Sequence, residues 1–151
     1  MVSQISLSPI IYIITPILLA SIINLIIFRF KWNTNKQQMN NPYLPPGYII
    51  GIIWIIIFGL LGYVYYLLFS KSHILTVGTI SIILMVFFCL LYPFLTRGFH
   101  NELVSDILNK LTFLFSIIVG IIVYIENKTA FIYVIPLILW SFYVNVIFYN
   151  K

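Results

Sequence analysis

The chain has 151 residues, 62% hydrophobic and 7% charged, with a mean hydropathy of +1.11 and a net charge of +5. Three acidic and eight basic side chains are too few to keep a soluble domain of this size wet, so its bulk solvent must be lipid. The cations are scattered and offer no stripe for a phosphate backbone to follow, which excludes nucleic acid as a partner, and the single Cys89 excludes an intrachain disulfide or a cysteine metal cluster.

Five apolar stretches follow along the chain, at about Ile5–Phe28, Gly47–Phe69, Ile74–Leu95, Leu103–Ile125 and Phe131–Tyr149. Each is near the roughly 20 residues that cross a hydrocarbon core. They predict an all-α fold: one domain over residues 1–151, an integral membrane bundle of five transmembrane helices. The many Ile and Val residues would favour strands in water, but in lipid the need to bond every backbone group overrides that propensity. The first stretch ends at the cationic Phe28-Arg29-Phe30-Lys31 instead of a small-residue cleavage site, so it reads as a retained span. The joins are short except for loop 29–46, and short joins make neighbouring spans antiparallel.

Pro45 and Pro46 stand where the second span begins, a position that tolerates proline because first-turn N–H groups lack helical partners. Within that span Gly51, Gly59 and Gly62 permit either close helix contact or room for a ligand. Trp54, Phe58, Leu61 and Tyr65 share one helical face, which suits either ordinary packing or the wall of a flat apolar pocket. Cys89 in the third span reads as an inert buried thiol. Glu102 and Asp106 open the fourth span as an i, i+4 acid pair. They either bind a cation or proton or, more plainly, complement the helix dipole, with Asn101 as N-cap and Lys110 neutralising Asp106. Asn24 and Asn145 are polar groups within spans and read as interhelical hydrogen-bonding groups. His73 and His100 fall in loops on opposite faces and cannot share a metal, so no metal site is expected. Asn127-Lys128-Thr129 is a glycosylation sequon too near the membrane to be used.

Five cations (Arg29, Lys31, Lys36, Arg97, Lys151) against two (Lys71, Lys128) place loop 29–46 and the C-terminus in the cytosol. The tail Val146, Tyr149 and Lys151 matches a loose sterol-contact pattern, although Tyr149 and Lys151 also serve as plain interfacial anchors.

Pro45-Pro46-Gly47-Tyr48, Gly51, Trp54, Phe58, Gly62-Tyr63 and Tyr66 together resemble the second-helix signature of the TspO/translocator protein family, the tryptophan-rich sensory proteins. Pro136 to Trp140 with Tyr143 is similar to that family's fifth-helix motif, and Tyr92-Pro93-Phe94-Leu95 to its third. The chain departs from the pattern at Tyr48, where the family has tryptophan, and at Ile52, where it has proline. Only Trp32, Trp54 and Trp140 remain of the tryptophans.

The resemblance implies a binding or sensing protein with a pocket between spans one, two and five, under loop 29–46. The ligand is a flat hydrophobic molecule: protoporphyrin IX, haem or a related precursor, or a cholesterol-like sterol. The lining residues it implies are Tyr48, Ile49, Trp54, Phe58, Trp140, Tyr143, Val144 and Trp32, with Lys31 or Lys36 near the propionates of a porphyrin. No cofactor is required; membrane lipid surrounds the chain, and a homodimer is implied by analogy. The alternatives are an enzyme that degrades protoporphyrin IX in light, using Trp140 with Tyr48, and a transporter of lipid or tetrapyrrole. The membrane implied is the mitochondrial outer membrane or the endoplasmic reticulum of a eukaryotic or viral host.

Overall fold

The structure is a computed structural model and describes residues 8–30, 43, 45–72, 74–99 and 102–149, without the side chains of 97–99, 102, 148 and 149. The described residues form α1 (Pro9–Arg29), α2 (Gly47–Ser72), α3 (Val77–Phe99), α4 (Glu102–Glu126), a short α5 (Lys128–Ile132) and α6 (Ile135–Tyr149). Five spans are long and apolar enough to cross a membrane, the fifth running from Lys128 to Ile147 through α5 and α6. At 1.5 Å per residue, the 21 residues of α1 cover about 30 Å, one hydrocarbon core. The expected start of the first span, at Ile5, lies outside the described residues.

Helix boundaries have local causes. Ser8 accepts a hydrogen bond from the Ile10 amide, and Pro9 follows at the first helical position. At α2 the Pro46 carbonyl receives the Ile49 and Ile50 amides at 2.9 and 3.2 Å, so the double proline does start the helix. The fifth span begins three residues before the expected Phe131 and is not one helix. Pro136 has no N–H to give the Ile132 carbonyl, and it disfavours helical geometry at Ile135. The chain instead turns at Tyr133 and Val134, whose amides bond to Ala130 and Phe131 at 3.1 and 2.9 Å.

Contacts connect α1 to α2, α2 to α3, α3 to α4, and α4 to α5 and α6, with lesser contacts between α1 and α3 and between α2 and α5. The core of Ile57, Phe58, Leu61, Val64, Ile82, Met85, Val119, Val123 and Leu137 is shared by α2, α3, α4 and α6. Helix α1 stands at the edge, with only 11% of its spanning window buried. The glycines of α2 set its approach. A methyl group on Gly62 would lie 2.2 Å from the Tyr12 carbonyl oxygen and 2.9 Å from Pro16 Cγ, and one on Gly59 would lie 3.0 Å from Ile17. Pro16 cannot donate to that Tyr12 carbonyl, so the proline of α1 and the glycine of α2 are two halves of one contact.

At the α2–α3 turn, Glu126 closes α4 and caps α3. Its carboxylate accepts from the Gly78 amide and from the Thr76 hydroxyl, both at 2.7 Å, while its backbone carbonyl accepts from Lys71 Nζ at 3.3 Å. A carboxylate is unfavourable at the end of its own helix but favourable at the start of a neighbour, where free amides point outward. Asn127 then caps α5, its Oδ1 accepting from the Thr129 and Ala130 amides.

Candidate functional site

An open groove of about 400 Å³ runs between α2 and α6. Ile53, Ile56 and Ile57 form its α2 wall, and Pro136, Leu139, Trp140 and Tyr143 its α6 wall. Each set repeats at i, i+3, i+4, the spacing that aligns side chains along one helical face. Pro45, near the end of loop 29–46, closes the groove on the loop side. Ile56 and Leu139 are exposed on its outer lip, so the groove opens sideways toward lipid.

The rigid parts of the groove are two prolines and one aromatic pair. Trp140 and Tyr143 stack with ring centroids 5.5 Å apart and planes at 30°. The Tyr143 hydroxyl donates to the Tyr43 carbonyl, tying α6 to the loop that precedes Pro45. This presents a broad π-face to the groove without the cost of ordering two loose side chains.

Behind the groove, α6 is pinned to α4 by polar groups. Asn145 Nδ2 donates to the Asn109 carbonyl at 2.9 Å and to the Ser141 carbonyl of its own helix at 2.8 Å. Asn145 thus bonds between helices, as its place in a span implied. Ser116 and Ser141 hydroxyls lie 3.0 Å apart. Each also reaches a carbonyl of its own helix, at 2.7 and 3.0 Å. A hydroxyl has one proton, so one serine bonds its own carbonyl while the other donates across. Tyr92 of α3 donates to Asn109 Oδ1, which leaves Asn109 Nδ2 buried without an acceptor.

Of the residues expected in the site, the groove brings together Trp140 and Tyr143. Tyr48 is 71% exposed, on the first turn of α2. Ile49 and Val144 are half-buried outside the groove. Trp54 packs against the core with its ring 5.7 Å from that of Phe58, which is itself buried in the core at 3% exposure. Val146 is exposed at the outer surface. Trp32, Lys31, Lys36 and Lys151 lie outside the described residues, as does the Tyr149 side chain. No residue of α1 lines the groove. The residues that sequence reasoning missed are Ile53, Ile56, Ile57 and Leu139, whereas Pro45 and Pro136 were already singled out by the two motifs. The signal of the missed four was the pair of matching i, i+3, i+4 stripes, which are invisible without knowing that α2 faces α6.

The remaining polar expectations divide. Asp106 pairs with Lys110 at 2.7 Å, both partly exposed, while the Glu102 side chain, Asn101, His73 and His100 lie outside the described residues. Among the described residues no group of three His, Cys, Asp or Glu side chains is placed to hold a metal. Cys89 is buried.

Five apolar spans folded into one bundle, with a groove open to lipid and hardly any charge inside, define a multi-pass integral membrane protein of all-helical class. Comparison with known families matches residues 12–150, nearly the whole chain, to the TspO/MBR family, and the chain belongs to that family. Searches among curated proteins and among solved structures gave no significant match.

Proposed function

We propose that the protein is a membrane receptor for a flat hydrophobic tetrapyrrole, protoporphyrin IX, which seats in the groove between α2 and α6. The observation that carries this reading is the stacked Trp140–Tyr143 pair, held between Pro45 and Pro136 and tied to Tyr43. A porphyrin ring is a large π-surface, and aromatic stacking adds about 0.5–1.5 kcal/mol beyond the burial of area. The groove volume of about 400 Å³ falls in the usual range of small-molecule sites. Among the described residues its lining has no His, Cys or Met to ligate iron, and its one phenol, Tyr143, is engaged with the Tyr43 carbonyl, so the metal-free porphyrin suits it better than haem. The lateral opening suits a ligand that arrives dissolved in the membrane. Loop 29–46 lies on the cytosolic side in this reading, as the cation bias requires.

Binding is favoured over degradation of the pigment because, among the described residues, one indole lines the groove. Trp54 packs against the core instead, and Tyr48 stands away from the groove. Titration of the purified protein with protoporphyrin IX should quench tryptophan emission saturably, and Trp140→Ala should raise the apparent Kd about tenfold. Non-saturable quenching, or a Kd unmoved by Trp140→Ala, rejects the groove as the site. Illumination of the complex separates the enzymatic alternative: bleaching no faster than that of free pigment leaves binding as the function.

A further inference from the structure

A second cavity lies away from that groove, at the end of the bundle opposite loop 29–46. It occupies about 460 Å³ between α1, α2 and α3, and shares no lining residue with the groove. Along α1 it runs from Ile11 to Leu19, about 12 Å at the helical rise. This is most of one leaflet's half of a roughly 30 Å hydrocarbon core. Leu61 and Gly62 form its floor, where α1 and α2 touch. Ile83 and Phe87 of α3 are exposed at its lip, so it opens into the bilayer rather than to water.

Its polarity is one-sided. The deep end, toward Leu19 and Leu90, is apolar, and the Thr15 hydroxyl midway along α1 is taken up by the Ile11 carbonyl of its own helix. The end near the membrane surface carries Tyr12, on the first turn of α1, and Tyr65, whose rings lie 5.5 Å apart. Neither phenol has a hydrogen-bond partner among the described residues. Two phenolic donors therefore stand over an apolar slot, at the depth where a membrane lipid changes from chain to headgroup.

We propose that this crevice is a site for one glycerophospholipid, whose acyl chain fills the slot while its ester carbonyl accepts from Tyr12 and Tyr65. An ester at that depth offers acceptors only, which complements two donors. A second copy of the chain would offer the phenols a helix whose carbonyls are already bonded. The slot is also closed on three sides by separate helices, so it holds a chain more tightly than the open surface of a single span does.

Native mass spectrometry of the full chain, released from detergent micelles supplemented with phosphatidylcholine, tests the proposal. One phosphatidylcholine should remain on each chain. Tyr12→Phe with Tyr65→Phe keeps the shape but removes both donors, and should cut the retained fraction about tenfold, as expected for two modest hydrogen bonds. Ile83→Trp, at the exposed lip, should block the slot and abolish retention. Trp140→Ala should leave retention unchanged, so failure of the porphyrin groove and failure of this site give different patterns. Retention unmoved by both the double phenylalanine and the Ile83→Trp variants overturns the proposal. So does a dimer of chains that Ile83→Trp dissociates while no lipid adduct appears.

Discussion

Gly62 and Gly51 sit on the same helix and are both apposed to α1, yet they make opposite predictions. At Gly62 an added methyl group meets the Tyr12 carbonyl and the Pro16 ring, neither of which can rotate away. Gly62→Ala must push α1 outward, and should lower stability by about 2 kcal/mol, typical of overpacking. At Gly51 the nearest atom is Asn24 Nδ2 at 3.6 Å, an ordinary contact. Gly51→Ala should be neutral or gain up to about 1 kcal/mol from helix propensity. Thermal unfolding in detergent, followed by helical circular dichroism, compares them directly. Equal effects from the two would show that the α1–α2 contact is loose enough to take a methyl group at Gly62. The glycines were legible in the sequence as close-contact positions, but their ranking was not. It depends on a proline in another helix aiming a backbone carbonyl at one of them.

Between elements, polar side chains decide which helices meet. Asn109, Thr112 and Ser116 lie on the buried stripe of α4, the most amphipathic of the spans. In lipid such a stripe turns toward protein, where its groups can find partners. Asn145 could be read as an interhelical residue because a span has few other uses for an amide. Its partner could not, since Asn109 sits near the expected start of its span and reads equally well as interfacial. The Tyr92–Asn109 bond gives a sharp test. Tyr92→Phe leaves the Asn109 oxygen without its donor, and Asn109→Leu leaves a phenol buried without its acceptor. Each should cost about 1–2 kcal/mol, while the double variant, with both polar partners gone, should cost less than the sum by about 1 kcal/mol. Additive losses would mean that the two residues act separately. Glu126 makes a second test at this scale. It clasps the α2–α3 turn to the end of α4, so Glu126→Ala should cost about 1–2 kcal/mol, and Glu126→Gln, which keeps an oxygen for the Gly78 amide, should cost less. In the sequence Glu126 was simply a loop acid, because the amide it caps is 48 positions away.

For the molecule as a whole, the number of spans, their class and most of their bounds followed from length and hydropathy, because lipid allows few alternatives. The arrangement of the spans did not. Three of the five are nearly uniform in apolarity, so their periodicity shows no inward face, and that α1 would stand apart from the groove between α2 and α6 could not be read from it. That arrangement links the polar node to the groove. Helix α6 carries Trp140 and Tyr143 on one face and Ser141 and Asn145 on another, so the node that holds α6 against α4 also orients the aromatic wall. Asn145→Leu touches no groove residue but removes the bond to the Asn109 carbonyl. It should lower stability by about 1 kcal/mol and weaken protoporphyrin IX quenching several-fold, because α6 is then free to rotate its stacked pair away from α2. Asp106→Asn removes only the partly exposed pair with Lys110 and should change neither quantity by more than about 0.5 kcal/mol. If Asn145→Leu loses stability while its porphyrin affinity stays at the wild-type value, the groove is held by α2 and the prolines alone. The α4–α6 node then serves folding without serving the site.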